Sequence, residues 1–378
     1  MIDDPSGLWL GRVWLPQAAG PAVVTLRNGN LVEVTAPGAA TVSDICEMDD
    51  PAGWLRAAPG RVLARLDDIA AAPIGDTSRI HLLAPCDLQV IKACGVTFAQ
   101  SMVERVIEEK AGGDPVRAQA IRDRITAIIG ESLRDIRAGS PEAAAVKQAL
   151  IGEGMWSQYL EVGIGPDAEV FTKAPVLSSV GAGAQIGLHP ISNWNNPEPE
   201  VVLAVSSRGR IVGASLGNDV NLRDVEGRSA LLLGKAKDNN ASCAIGPMIR
   251  LFDDRFSLDD VRRAELALTV EGEDGYVLHG RSSMAQISRD PADLVAQTIG
   301  AHHQYPDGFI LFLGTLFAPT EDRDIKGEGF THKPGDRVTI SSPGLGTLTN
   351  TVRLSTECPP WRFGLRDLMR NLSSRGLL

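Results

Sequence analysis

No stretch of this chain approaches the ~20 consecutive apolar residues that span a bilayer, and no long basic run interrupts it. The first absence leaves no transmembrane segment to expect. The second goes with an acidic balance, 37 Lys plus Arg against 47 Asp plus Glu, a formal net charge of −10. Such a surface repels phosphate backbones, so neither nucleic acid nor membrane is expected as a partner. Cysteine is scarce. Cys46, Cys86, Cys94, Cys243 and Cys358 are odd in number and form no CxxC, which argues against a disulfide framework and a zinc ribbon and for a reducing compartment. The opening MIDDPSGLWLGRV has no basic segment leading into an apolar core, so the expected location is cytoplasmic. Aromatics make up only 5%, whereas Gly and Pro number 39 and 23. That mixture favours a β-rich chain with many turns over a helical bundle.

Residues 1–85 read as a small α/β module. Two extended runs, 22–26 and 31–34, flank Arg27-Asn28-Gly29-Asn30, a hairpin signal. Amphipathic stretches follow at 42–49 and 50–57. No ligand cluster or nucleophile motif occurs there, so the module is expected to be scaffold. Residues 86–378 read as the second, larger domain. Its first strand, CDLQVIKACGVTF, gives way at about 101–151 to a helical insertion. Met102, Val103, Val106 and Ile107 repeat at helical spacing, as do Ile121, Ile125, Ile128 and Leu133. The insertion is either a lid or a solvated excursion. From 169 to 355 strands dominate, including the apolar runs 201–205 and 309–313, with helical pieces at about 223–233 and 290–302.

Chemistry concentrates between Trp194 and Pro247. Glu198 and Glu200 stand two apart at the start of an apolar strand, so both point to one face. Two close, partly buried anions must share a proton or hold a cation. Asp219 ends the next strand, 19 residues after Glu200, and a hairpin would return it to the pair. Three carboxylates without histidine or thiolate make a hard oxygen site, suited to Mg²⁺, with Mn²⁺ or Ca²⁺ as alternatives. On spacing alone the other reading is a solvated strand end with a capping aspartate.

The order of motifs resembles the fumarylacetoacetate hydrolase superfamily over about 85–355. Glu198-Pro199-Glu200 matches its Glu-x-Glu. Asn218-Asp219-Val220-Asn221-Leu222-Arg223 matches its Asn-Asp-Val-x-x-Arg, followed by Gly234-Lys235 and Gly246-Pro247. Phe171-Thr172-Lys173 lies upstream; Gly314-Thr315, Pro334-Gly335-Asp336 and the segment 344–350 lie downstream. The resemblance implies an α+β fold, a β-roll of mixed sheets with a helical insertion and a small N-terminal domain, assembled as a homodimer or higher homo-oligomer. It implies Glu198, Glu200 and Asp219 as metal ligands, Lys235 as the lysine beside the metal, and Thr315 as donor to the substrate carboxylate. Lys173, Arg223 and Gly314 come with the same motifs as substrate-site residues.

One departure decides between branches. Hydrolases of that family carry Gly-x-Asn-Tyr-x-x-His after the first core strand, whose His activates water. Here the segment is Gly95-Val96-Thr97-Phe98-Ala99-Gln100-Ser101, and serine cannot replace imidazole as a base near neutrality. The Gly-Val-Thr-Phe-x-x-Ser form, with Glu104-Arg105 and the insertion after it, resembles the 2-keto-3-deoxy sugar acid dehydratases, especially those acting on 2-keto-3-deoxypentonates. That resemblance implies a small 2-oxo acid substrate, with Phe98, Ser101 and Arg105 as contacts and Glu169 and Lys235 as the acid/base pair. The expected reaction is dehydration to 2-oxoglutarate semialdehyde in non-phosphorylative sugar acid catabolism. The alternatives are C–C hydrolysis of an acylpyruvate or diketo acid, and decarboxylation or tautomerisation of a 2-oxo acid. Glu198→Gln and Asp219→Asn are expected to abolish activity without unfolding, since each removes ligand charge and no core volume.

Overall fold

In the computed structural model, which describes residues 1–70, 77–112, 114–118, 121, 137–152, 157–317, 319 and 321–378, Asn28 and Gly29 both adopt positive φ (52° and 76°) and close the expected hairpin. The strands it joins are β2 (Gly20–Arg27) and β3 (Asn30–Glu33). The chain then builds one large sheet from β1 (Trp9–Leu15), β2, β3, β4 (Arg61–Arg65), β5 (His81–Leu83), β6 (Val90–Gly95), β7 (Glu169–Ala174), β9 (Pro199–Val205), β10 (Ile211–Asp219), β11 (Cys243–Leu251) and β14 (Phe309–Phe312). Its order is β4-β3-β2-β1-β11-β10-β9-β14-β6-β7, with β5 on β1. A second, five-stranded sheet runs β13 (Val277–Ser283), β12 (Glu265–Glu271), β15 (Arg337–Ser342), β16 (Gly346–Leu354), β8 (Gln185–Leu188). Most pairings are antiparallel; β14 with β6 and β16 with β8 are parallel. The result is an α+β chain of mixed sheets.

The two sheets pack face to face. Val201, Leu203 and Leu216 from the large sheet share one core with Leu268, Val270, Val338, Ile340 and Leu348 from the small one. Each such fully buried aliphatic side chain contributes roughly 1.5–3 kcal/mol. The other face of the large sheet is covered by the short helices Val42–Glu47 and Pro51–Ala57, through Val42, Ile45 and Leu55. β9 is therefore buried along its whole length, as its unbroken apolar run requires.

The expected boundary near residue 85 is not marked by a break in the sheet. β1 pairs with β11 through Trp9↔Arg250 and Leu10↔Ile249, so the N-terminal strands extend the large sheet. The insertion contributes the helices Ala99–Ala111, Pro141–Gly152 and Gln158–Ile164. Met102, Val106 and Ile107 pack on Tyr159, Leu160, Ile164 and Trp194, which turns Arg105 and Glu108 toward the strand ends. The expected repeat at Ile125, Ile128 and Leu133 lies outside the described residues. A C-terminal helix, Leu365–Ser374, was not anticipated. Among the described residues no helix is long and apolar enough to cross a membrane.

Candidate metal and substrate site

The carboxylate cluster is a product of strand register. In the β9–β10 hairpin Glu200 lies opposite Gly217 and Pro199 opposite Asn218. One step further the Asp219 N–H donates to the Glu198 carbonyl (3.0 Å), and the Glu198 N–H donates to Asn218 Oδ1 (3.1 Å). Period-2 alternation then puts Glu198, Glu200 and Asp219 on one face. Oxygens from all three lie within 4.8 Å of one another, and all three residues are buried.

What surrounds them is charged. Lys237 Nζ contacts Glu198 Oε2 and lies 3.1 Å from Asp219 Oδ2. Lys173 Nζ lies 2.7 Å from Asp219 Oδ1 and donates to the Val220 carbonyl (3.1 Å). Arg105 reaches down from the insertion with Nη2 on Glu198 Oε1 (2.6 Å) and Nη1 on Glu108 Oε2 (2.7 Å). Arg223 pairs with Glu108 (2.7 and 2.8 Å) and stacks on Trp194 with 4.3 Å to the ring centroid. Glu200 accepts the Gly314 N–H at 2.6 Å.

Burial pushes Glu200 well above the usual carboxylate range, reinforced by the charges of Asp219 and Glu198. Burial raises Glu198 too, against Lys237 and Arg105. Burial likewise opposes ionisation of Asp219, yet Lys173 and Lys237 outweigh it and hold that carboxyl below its ordinary value. Lys237 is desolvated, but Asp219 and Glu198 keep it charged.

A fourth carboxylate completes the pocket. β6 and β7 pair with Gly95 opposite Glu169. A Cβ on Gly95 would lie 1.9 Å from Glu169 Oε2, so only glycine lets the glutamate fold against this strand. Burial, helped by the nearby charge of Glu226, pushes Glu169 up to about 7. Glu169 lines the same pocket as the triad, Lys237, Arg105 and Thr315. It can both take and give a proton near neutrality.

The residues fit a divalent cation. The donors are hard oxygens at short mutual range. Charge balance agrees. Glu108, Glu169, Glu198, Glu200, Asp219 and Glu226 face Arg105, Lys173, Arg223 and Lys237. The carboxyls outnumber the cations, and burial pushes Glu169, Glu198 and Glu200 up, a penalty that a divalent ion at their oxygens would offset.

The structure brings together Glu198, Glu200, Asp219, Glu169, Arg105, Gly314 and Thr315 around one pocket. Lys235 is a correction. It lies exposed on the short helix Leu233–Lys237, and the lysine at the carboxylates is Lys237. Helical residues two apart point about 200° apart, so only one lysine of Lys235-Ala236-Lys237 can face inward. Phe98 is fully buried in the inter-sheet core and does not line the pocket. Arg223 and Lys173 are also buried, behind the pocket wall, as partners of Glu108 and Asp219. The Ser101 side chain lies outside the described residues. Sequence reading missed Lys237, Glu108 and Glu226. A signal for Glu226 existed, since it stands one turn after Arg223 at i, i+3.

Residues 164–353 match the fumarylacetoacetate (FAA) hydrolase C-terminal family. The chain is 28% identical over 279 residues to a probable 2-keto-3-deoxyxylonate dehydratase of Haloferax volcanii, covering 74% of this chain and 87% of that protein. It is 31% identical over 188 residues to the 2-dehydro-3-deoxy-D-arabinonate dehydratase of Saccharolobus solfataricus, covering 49% of this chain and 58% of the relative. Its fold is similar to a solved 2-keto-3-deoxy-D-arabinonate dehydratase complexed with magnesium and 2,5-dioxopentanoate. The TM-score is 0.63 at 19% identity, covering 91% of this chain and 98% of that one.

Proposed function

The chain belongs to the fumarylacetoacetate hydrolase family, and from that premise we propose that it is a Mg²⁺-dependent hydro-lyase of non-phosphorylative sugar acid catabolism. It converts a 2-keto-3-deoxypentonate to 2-oxoglutarate semialdehyde. The observation that carries this reading is Glu169, a carboxyl with a midpoint of about 7 in the same pocket as the three metal-binding carboxylates. Two relatives named as a 2-keto-3-deoxyxylonate and a 2-dehydro-3-deoxy-D-arabinonate dehydratase support it.

Glu198, Glu200 and Asp219 would hold the ion, which supplies Lewis-acid polarisation of the substrate's 2-oxo group and acidifies C3. Glu169, ionised, takes a C3 proton. The C3–H electron pair becomes the C3=C4 bond as the C4–O bond breaks. The proton on Glu169 leaves with the departing hydroxide as water. A proton then moves from C5 to C3, and the C4=C5 enol becomes the aldehyde as its hydroxyl proton passes to C4. Lys237 stays an ammonium and lends fixed positive charge to a pocket where negative charge develops. Thr315 and Arg105 orient the substrate.

Hydrolysis of an acylpyruvate would need a separate base for water. None of the six histidines is among the described residues lining the pocket, and the most buried of them, His332, is bonded to Asp336 at 3.0 Å elsewhere. The test is a panel of 2-keto-3-deoxypentonates, acylpyruvates and oxaloacetate with Mg²⁺, assayed separately for semialdehyde, pyruvate and CO₂. Semialdehyde should form fastest. Faster pyruvate release from an acylpyruvate would replace this reading with the hydrolase; faster CO₂ release would replace it with the decarboxylase.

A further inference from the structure

We infer that Glu226 is a specificity-determining residue, which selects 2-oxo acids carrying a hydroxyl on the distal chain and rejects those carrying a second carboxylate. The inference rests on the reading above in one respect, that the triad fixes the 2-oxo end of the ligand.

Glu226 ends the short helix Arg223–Glu226, lines the pocket, and is 5% exposed. It stands beside the triad, separated from Glu198 by the guanidinium of Arg105, whose Nη1 is 3.1 Å from Glu226 Oε2 and whose Nη2 is 2.6 Å from Glu198. That contact does not align as a hydrogen bond, and Oε2 is buried with no hydrogen-bond partner among the described residues. Arg105 also serves Glu108 and Glu198, so its one charge is divided among three carboxylates. A buried carboxylate oxygen without a donor carries a desolvation cost that a ligand donor can offset. Glu169 and Glu226 line the same pocket, and after burial itself Glu226 is the largest influence raising Glu169.

The ligand chemistry follows. A distal hydroxyl donates to Glu226 and leaves the charge unchanged. A distal carboxylate brings a further anion against Glu226 and Glu169 in a low-dielectric site, where the nearest cation, Arg105, already serves three carboxylates. Rejection of dicarboxylic 2-oxo acids is thus built from a repulsive element as well as an attractive one.

Calorimetry on the full-length, Mg²⁺-loaded protein tests this with three ligands that cannot be dehydrated. They are 2-oxopentanoate, 5-hydroxy-2-oxopentanoate and 2-oxoglutarate. The hydroxy acid should bind tightest and 2-oxoglutarate weakest. In Glu226→Gln the affinity for 2-oxoglutarate relative to 2-oxopentanoate should rise about tenfold or more, the size of one removed buried charge contact. Should Glu226→Gln not fold, Glu226→Ala is read for the same ratio, and a wild type without the expected order overturns the inference by itself. Wild-type protein that binds 2-oxoglutarate as tightly as 2-oxopentanoate overturns the inference, as does an unchanged ratio in a folded variant. No turnover is involved, so a protein that shows the expected order but forms no semialdehyde would sink the dehydratase reading and leave this one standing.

Discussion

Glu169→Gln is expected to lower kcat by about 10²–10⁴, the usual contribution of a positioned acid or base, while leaving the binding of Mg²⁺ and pyruvate nearly intact. The substitution keeps the shape of a side chain that lies against Gly95 and removes only its capacity to carry a proton. Loss in kcat and kcat/KM together, without loss of ligand affinity, is the signature of a group acting in the transition state. The pH profile gives a second readout. The folded pKa of Glu169 is raised from 4.5 to about 7. If the ionised form starts the reaction, kcat/KM in wild type should fall on the acid side, with burial of the carboxyl moving that limb above the ordinary carboxylate range. The same shift has a stability sign. A raised carboxyl favours the folded state fully below pH 4.5, and that contribution is lost as pH rises through about 7. Glu169→Gln should remove this slope. Retention of wild-type kcat in the variant would end the catalytic assignment.

Asp219→Asn and Glu200→Gln should both abolish the rise in melting temperature that Mg²⁺ gives the wild type. They should differ sharply in metal-free protein. Asp219 is the counter-ion of two buried ammonium groups, Lys173 and Lys237. Removing one partner of such a buried pair costs about 3–5 kcal/mol, so Asp219→Asn is expected to be severely destabilised. This corrects the expectation that loss of ligand charge leaves the fold untouched. Glu200, by contrast, resists ionisation and is held by the Gly314 N–H; a carboxamide keeps that bond, so Glu200→Gln should be as stable as wild type in chelator. Denaturant titrations with EDTA decide it. Equal stability of the two variants would mean that Asp219 does not hold the lysines together.

The triad was legible because its assembly obeys local rules. Glu198 and Glu200 share a face by strand alternation, and Asp219 returns through one tight hairpin. The lysine was not legible. Lys235 and Lys237 satisfy the same motif equally well, and the choice between them is made by the rotation of a five-residue helix. Glu108 stands at i, i+3 from Arg105 on one helix, a local mark like that of Glu226, but its second partner, Arg223, lies more than a hundred residues later and could not be read from sequence. The hairpin at Asn28-Gly29 was plain, whereas the union of β1 with β11 was not. Residues 9 and 10 carry no local mark of residues 249 and 250. The C-terminal helix escaped notice for a related reason, since only Leu368 and Leu372 of its length are buried.

That union limits how the molecule can be divided. The bonds of β1 to β11 are supplemented by Arg250, which lies over the Trp9 ring with 5.3 Å to its centroid and pairs with Asp4 at 2.9 Å. A fragment starting at residue 86 would keep every carboxylate and lysine of the pocket but strip one flank from β11, the strand that backs β10 and Asp219. The exposed backbone would be an adhesive seam open to any extended segment. The N-terminal strands thus cover an edge that a trimmed chain would leave bare, and such a fragment would have to be capped there before its chemistry could be studied in solution.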